Sequence, residues 1–113
     1  GMNEIQIKSA LTNYFKFFSS KNIESLEAMF SKKIQLFDWE IESKGIVNVV
    51  ETNRNIFKSV DSIEVSVKEL FINQLNACCV IEILINKSEV LKVIDLISFN
   101  EKGKIIKISA YKQ

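Results

Sequence analysis

Residues 89–105 carry the clearest structural signal in this chain and read EVLKVIDLISFNEKGKI. Every second residue from Leu91 to Phe99 is apolar except Asp95, which is the pattern of a strand with one buried face. Residues 100–103 then predict a tight turn with Gly103 in a left-handed conformation, and a last strand follows over residues 104–111. This part of the sequence therefore predicts an antiparallel hairpin.

The sequence before this hairpin also predicts sheet. Alternation over residues 62–68 predicts one strand, and it slips at Glu69–Leu70, where we expect a bulge. The strand predicted over residues 77–85 is apolar on both faces, so we expect both faces to be covered. Its neighbouring cysteines, Cys78 and Cys79, point to opposite faces and are interpreted as buried apolar residues, with a disulfide between these neighbours as the alternative.

The first half of the chain predicts three helices and one strand. They are predicted, in chain order, at about residues 3–20 (helix), 22–30 (helix), 34–39 (strand) and 46–58 (helix). The order ααβαββββ, with short turns and no proline, favours an α+β fold in which a strongly bent sheet wraps around the first helix. We expect one domain over residues 2–113, with Gly1 left by cleavage of a tag.

The composition limits the chemistry that this chain supports. Its 113 residues include no histidine, which excludes Ser-His-Asp and Cys-His catalysis and removes the commonest metal ligand. No CxxC, HExxH, GxGxxG or phosphate-loop pattern occurs. We therefore expect neither a metal nor a cofactor.

Charge and hydropathy limit the partners and the compartment. A formal net charge of +1, with the lysines scattered, leads us to expect no nucleic-acid partner. No apolar run approaches the ~20 residues that span a bilayer, so we expect no membrane partner. The first residues lack the basic-then-apolar pattern of an export signal, which makes the cytoplasm the expected compartment.

One polar residue interrupts the apolar face of the strand over residues 89–99. Asp95 lies in the middle of that face, among the apolar side chains of Leu91, Val93, Ile97 and Phe99. Burial would raise the pKa of this carboxyl and keep it protonated as a hydrogen-bond donor. The alternative is a reversed register, in which Asp95 faces water and the opposite face, which includes Lys92, becomes the core.

Two further polar residues lie on predicted inward faces. Tyr14 is on the inward stripe of the first helix, where a buried hydroxyl needs a partner such as Asp95. The alternative is a core tyrosine whose hydroxyl reaches the surface. Asp38 shares a face of the strand over residues 34–39 with apolar residues, and its alternative is a strand-end or turn aspartate in water.

Four segments of the chain resemble one known superfamily. They are Tyr14-Phe15, residues 22–30 (NIESLEAMF), Gly45 at a helix start, and residues 94–105 (IDLISFNEKGKI). Together they resemble the nuclear transport factor 2-like superfamily, in its SnoaL-like and ketosteroid-isomerase-like branch. The resemblance implies a cone-shaped, cystatin-like roll, in which a curved sheet and three helices surround a deep apolar pocket. It also implies a homodimer packed sheet to sheet.

The same resemblance assigns catalytic roles to three side chains. Tyr14 takes the place of the oxyanion-hole tyrosine, Asp95 that of the neutral acid beside it, and Asp38 that of the base that shuttles the proton. Two related chemistries fit poorly. Scytalone-dehydratase-like chemistry uses histidine, and limonene-epoxide-hydrolase-like chemistry uses an Asp-Arg-Asp set, whereas the only arginine, Arg54, is on the third helix.

Three functions therefore remain open from the sequence. The first is an isomerase- or cyclase-type enzyme that abstracts a proton next to the carbonyl of an apolar ketone. The second is a module that binds an apolar small molecule without turning it over. For such a ligand the predicted contacts are Phe18, Phe30, Trp39, Phe57 and Val65. The third is a dimerisation domain whose small pocket is incidental.

Overall fold

The computed structural model has three helices and six strands within residues 1–113. In chain order they are α1 (Glu4–Ser19), α2 (Ile23–Met29), β1 (Phe30–Phe37), β2 (Glu42–Lys44), α3 (Ile46–Lys58), β3 (Ile63–Asn73), β4 (Asn76–Ile85), β5 (Glu89–Phe99) and β6 (Ile105–Lys112). The predicted α+β class and element order are confirmed, with β2 added, since three residues are too few to show a period. No helix has both the length and the apolar content that a membrane crossing requires.

The six strands form one mixed sheet in the order β2-β1-β6-β5-β4-β3. Strands β3 to β6 are an antiparallel meander, and β1 pairs with β6 in parallel. β3 carries one extra residue, Lys68, between Val67 and Glu69, so the predicted bulge is present one position earlier than expected. A bulge bends the strand that carries it, which suits a sheet that curves around a helix.

The first strand begins and ends earlier than its sequence predicts. β1 starts at Phe30, directly after α2, and ends at Phe37, whereas the pattern predicted residues 34–39. Its pairing with β6 is irregular between Phe30 and Gln35, and an irregular segment does not need to alternate apolar and polar residues. Asp38 consequently lies in the turn after the strand.

The helices begin at residues that suit their ends. The Asn3 side chain accepts a hydrogen bond from the Gln6 amide at 2.8 Å, and the Gln6 side chain accepts one from the Asn3 amide at 2.9 Å. The Asn22 side chain accepts from the Ser25 amide at 3.1 Å. α3 is preceded by Gly45 with a φ of 85°, a conformation that other residues rarely adopt.

The sheet has an inner face that the helices cover. Ile81, Ile97 and Ile108, on three neighbouring strands, are buried there and belong to one core with Ile7 and Leu11 of α1. The register that buries these residues also decides which polar side chains point inward, because side chains on a strand alternate between its two faces. The site described below depends on this register.

The outer face of the sheet is open to solvent in one copy of the chain. Phe71, Ile94, Leu96 and Tyr111 are exposed there. On the same face of β4, Cys78 and Val80 are half-buried, and the expected cover of this outer side stays a prediction. Cys79 is buried and Cys78 half-buried, and both thiols are free.

Candidate functional site

A cavity of about 390 Å³ lies between the inner face of the sheet and the helices α1 and α3. Its walls come from β3, β4, β5 and β6 on one side and from α1 and the C-terminal half of α3 on the other. The turn over residues 38–41 lies at its mouth, and 17 of its 22 lining residues are hydrophobic. This size and lining suit a small apolar molecule.

Most of the predicted site residues line this cavity. They are Tyr14, Phe18, Asp38, Trp39, Val65 and Asp95. The other two predicted contacts, Phe30 and Phe57, do not line it. Phe30 is buried in the core at the start of β1. Phe57 packs edge-on against Phe18 with the ring centroids 4.9 Å apart, so it supports the cavity wall without forming it.

Asp95 is buried in the middle of the inner face, with 7% of its surface exposed. It lies between Cys79 on β4 and Ala110 on β6, and Lys92 is exposed on the opposite face, so the reversed register is wrong. Burial, with a smaller contribution from the charge of Asp38, raises the pKa of the Asp95 carboxyl from 3.8 to about 7. The carboxyl is therefore largely protonated below neutral pH.

Tyr14 is buried to a similar degree, with 4% of its surface exposed. Its ring packs against Phe15 and Phe18, with centroids 5.1 and 6.1 Å away. Burial first, and the charge of Asp95 second, raise the pKa of its hydroxyl well above 10. The structure has no hydrogen bond between this hydroxyl and Asp95, so the bond that the sequence suggested is not formed. Tyr14 lines the cavity, and its hydroxyl is not sealed from solvent.

Asp38 is half-buried at the mouth of the cavity, where it also shapes the turn. Its Oδ1 accepts hydrogen bonds from the amides of Glu40 at 2.7 Å and Ile41 at 2.6 Å. This is the turn role that the sequence left open as an alternative. The two bonds fix the carboxyl group and leave Oδ2 free of protein partners.

A cation–π contact lies at the mouth of the cavity, next to Asp38. Trp39 is partly exposed there, and the Lys112 ammonium lies 5.2 Å from the centre of its ring. The attraction between the ammonium and the ring helps to hold the indole in place, although much of the indole is exposed to solvent. The entrance therefore combines an aromatic surface with charged groups, while the interior is almost entirely apolar.

One polar residue of the cavity was missed by the sequence analysis. Asn53, on α3, lines the cavity with 3% of its surface exposed, and its amide makes no hydrogen bond to the protein. The signal was available, because Asn53 interrupts the apolar stripe formed by Val49, Val50 and Phe57. This is the same kind of interruption that identified Asp95 on its strand.

The polar groups inside the cavity share one property. Tyr14, Asn53 and Asp95 are each more than nine-tenths buried and line the cavity, and none makes a side-chain hydrogen bond to another protein group. No fully enclosed side-chain nitrogen or oxygen lacks a partner, so the polar atoms of these three residues face the space of the cavity, where water or a ligand can bind them. No three metal-ligating side chains cluster together.

Comparison with known proteins places this fold among the solved structures. A candidate ketosteroid isomerase from Kribbella flavida aligns with a TM-score of 0.83 at 13% identity, over 96% of this chain and 78% of that one. A candidate isomerase of the SnoaL-like family from Agrobacterium tumefaciens aligns with a TM-score of 0.83 at 9% identity, over 96% and 98%. A cystatin-like protein of unknown function from Methylobium petroleophilum aligns with a TM-score of 0.85 at 13% identity, over 98% and 78%.

The sequence alone finds no such relatives, since no protein-family model and no curated protein matches it. The structural alignments show that the chain has the fold of the nuclear transport factor 2-like, SnoaL-like and ketosteroid-isomerase-like proteins, as the resemblance predicted. At these identities the likeness concerns the fold, because one fold supports many reactions. The reaction has to be argued from the cavity.

Proposed function

We propose that this protein binds an apolar ketone in the cavity and removes a proton from the carbon next to its carbonyl. The observation that carries the proposal is the pair of proton donors, Tyr14 and Asp95, that are both more than nine-tenths buried and line one largely apolar cavity. A ketone oxygen accepts two hydrogen bonds, one from each donor. The pair therefore fits an oxyanion hole for a developing enolate.

These donors face the cavity, and neither is sealed away from solvent. A ligand oxygen that displaces cavity water can accept hydrogen bonds from both of them. Donors already in position stabilise charge as it develops, without the reorganisation that water molecules require.

Asp38 completes the proposed reaction as the general base. The carboxylate takes the proton from the α-carbon, the electrons of that C–H bond form the C=C bond, and the carbonyl π electrons move to the oxygen. Asp38 then returns the proton to the same or another carbon, so no cofactor is consumed. Return to another carbon isomerises the substrate, and attack of the enolate within the same molecule cyclises it.

The alignments support this proposal at a coarser level. Two of the aligned structures are candidate isomerases, of the ketosteroid and SnoaL-like types. Both types of name fit chemistry that passes through an enolate. The proposed substrate class is an apolar ketone that is small enough for the cavity.

One observation favours a second candidate, a binding module without turnover. The bonds from the amides of Glu40 and Ile41 give Asp38 a structural role that explains its presence without catalysis. In that case Tyr14 and Asp95 would bind a carbonyl compound and release it unchanged. The third candidate is a scaffold with an incidental pocket. The open cavity, which is lined by polar groups as well as apolar ones, favours a ligand over this candidate.

The decisive experiment measures exchange of α-protons for deuterium by NMR, on a panel of enolisable ketones that includes a Δ5-3-ketosteroid. We expect Asp38→Asn to slow exchange of any accepted ketone by about 10²–10⁴-fold, the usual contribution of a positioned base. Asparagine can keep both turn bonds, so the loss would report the missing base. The matched control is Glu42→Gln, which changes an exposed carboxylate on β2. Equal rates in wild type and Asp38→Asn would remove the base assignment and leave the binding module.

We also propose that a second copy of the chain covers the outer face of the sheet. The exposed apolar residues there, Phe71, Ile94, Leu96 and Tyr111, lie on three strands of the sheet, β3, β5 and β6. Contiguous apolar surface of this kind is typical of an interface.

A further inference from the structure

Asn53 is the polar group of the cavity that the proposed reaction does not use. It lies on α3, whereas the proposed donors to the ketone oxygen lie on α1 and β5 and the base follows β1. Asn53 has 3% of its surface exposed, lines the cavity and makes no side-chain hydrogen bond to another protein group. Its amide atoms are not enclosed without a partner, so they face the space of the cavity. A helix interior is also an unfavourable place for asparagine, so local propensity does not explain it.

The ketone oxygen offers no room for this third polar group. A carbonyl oxygen has two lone pairs, and Tyr14 and the protonated Asp95 already use both in the proposed complex. The Asn53 amide therefore needs a different atom of the ligand. Its Nδ2 donates and its Oδ1 accepts, and a hydroxyl group is the small function that both accepts and donates at one atom.

We infer that Asn53 binds a second oxygen of the ligand, and that the substrates are apolar ketones that also carry a hydroxyl group. This inference rests on the proposed function and makes Asn53 its specificity-determining residue. A site that contains a buried hydrogen-bonding group rejects an analogue without the matching group, because the protein group then stays unpaired. The expected discrimination is about 10-fold or more for one bond.

The test uses naphthols as stable enol analogues and follows their fluorescence on binding. The probes are 2-naphthol, with one hydroxyl, and the dihydroxynaphthalenes that keep this hydroxyl and place a second one at each other ring position. For wild type we expect at least one diol to bind about 10-fold more tightly than 2-naphthol. We expect this ratio of dissociation constants to fall to about 1 in Asn53→Leu, which has nearly the same shape, and in Asn53→Ala.

Matched variants separate this inference from the proposal on which it rests. Asn55→Leu makes the same substitution at an exposed position of the same helix and should keep the ratio. Tyr14→Phe should weaken 2-naphthol and every diol together and also keep the ratio. A failure of Tyr14→Phe to weaken binding would count against the proposed oxyanion hole alone.

Three results would overturn the inference. The first is that wild type binds 2-naphthol and shows no preference for any diol. The second is that a preference persists unchanged in both Asn53 variants. Either result would leave the proposed function intact. Failure of wild type to bind any naphthol would overturn the inference together with the proposed function.

Discussion

The carboxyl group of Asp95 links the stability of this fold to its proposed chemistry. The group is useful as a hydrogen-bond donor only while it is protonated, and burial is the main reason why its pKa rises to about 7. Burial is therefore both the source of its function and a cost to the folded state. The cost depends on pH because the native state binds the proton more tightly than the unfolded chain does.

The sign of this dependence leads to the first prediction at the residue scale. Below pH 3.8 the carboxyl is protonated in both states, and between 3.8 and about 7 only the native state holds the proton. Stability contributed by this group therefore falls as the pH rises through that window. We expect Asp95→Asn to be stabilised relative to wild type by an amount that grows from near zero at pH 4 to about 4 kcal/mol above pH 7.

Urea unfolding at a series of pH values between 4 and 8 measures this difference. Asp61→Asn is the matched control, because Asp61 is exposed and should show no such trend. A stability difference between wild type and Asp95→Asn that stays constant across the series would contradict the raised pKa. A difference that grows toward low pH would contradict its sign.

How far the sequence predicts the site also becomes clear at this scale. Asp95 could be predicted because strand alternation fixes its face, and one residue of slip would have exposed it. The sequence could not decide whether Tyr14 and Asp95 are hydrogen-bonded, because α1 and β5 are far apart in the chain and the distance between them depends on packing. Asn53 was visible as a polar residue on an apolar stripe, but only the cavity shows that its amide is unpaired.

At the scale of elements, α3 depends on the conformation of a single glycine. Gly45 has φ 85° and ψ 149°, a region that is essentially restricted to glycine. An added Cβ would meet no atom within 4 Å, so a larger residue would be opposed by backbone conformation alone. This glycine joins the mouth of the cavity to the helix that carries Asn53.

We therefore expect Gly45→Ala to lower the free energy of unfolding by about 1–3 kcal/mol. Urea unfolding at pH 6 measures the loss, and Asn55→Ala on the exposed face of the same helix is the control. Alanine favours a helix, so the control should be neutral or slightly more stable than wild type. Unchanged stability in Gly45→Ala would show that the chain adopts another conformation before α3.

Elements were predicted well where the pattern was long and regular. The three helices and the strands β3 to β6 lie where the sequence predicts them. The longer of these elements show a clear period, and the shorter ones are bounded by clear turns. β1 was misplaced because its irregular pairing with β6 hides the period over its first residues. β2 was missed because Glu42–Lys44 is defined by its pairing with β1 and not by any local pattern.

At the scale of the whole molecule, the two faces of the sheet have different tasks. The inner face forms the cavity, whose apolar lining holds Asp95 in its neutral state. The outer face carries apolar side chains that nothing in the chain covers, of which Leu96 is 42% exposed near the centre of the sheet. Leu96 and Asp95 are neighbours on β5, so an interface at the outer face would lie one residue away from the proposed site.

The last prediction concerns this outer face and the proposed homodimer. We expect wild type to sediment as a dimer and Leu96→Glu to sediment as a monomer. A charge buried in an interface without a partner costs about 3–5 kcal/mol, which weakens association by 10²-fold or more. The control is Val47→Glu, which places the same charge at an apolar residue of α3 that is 79% exposed and away from the sheet. A wild type that sediments as a monomer at all concentrations, or a dimer that persists in Leu96→Glu, would show that the outer face is not the interface.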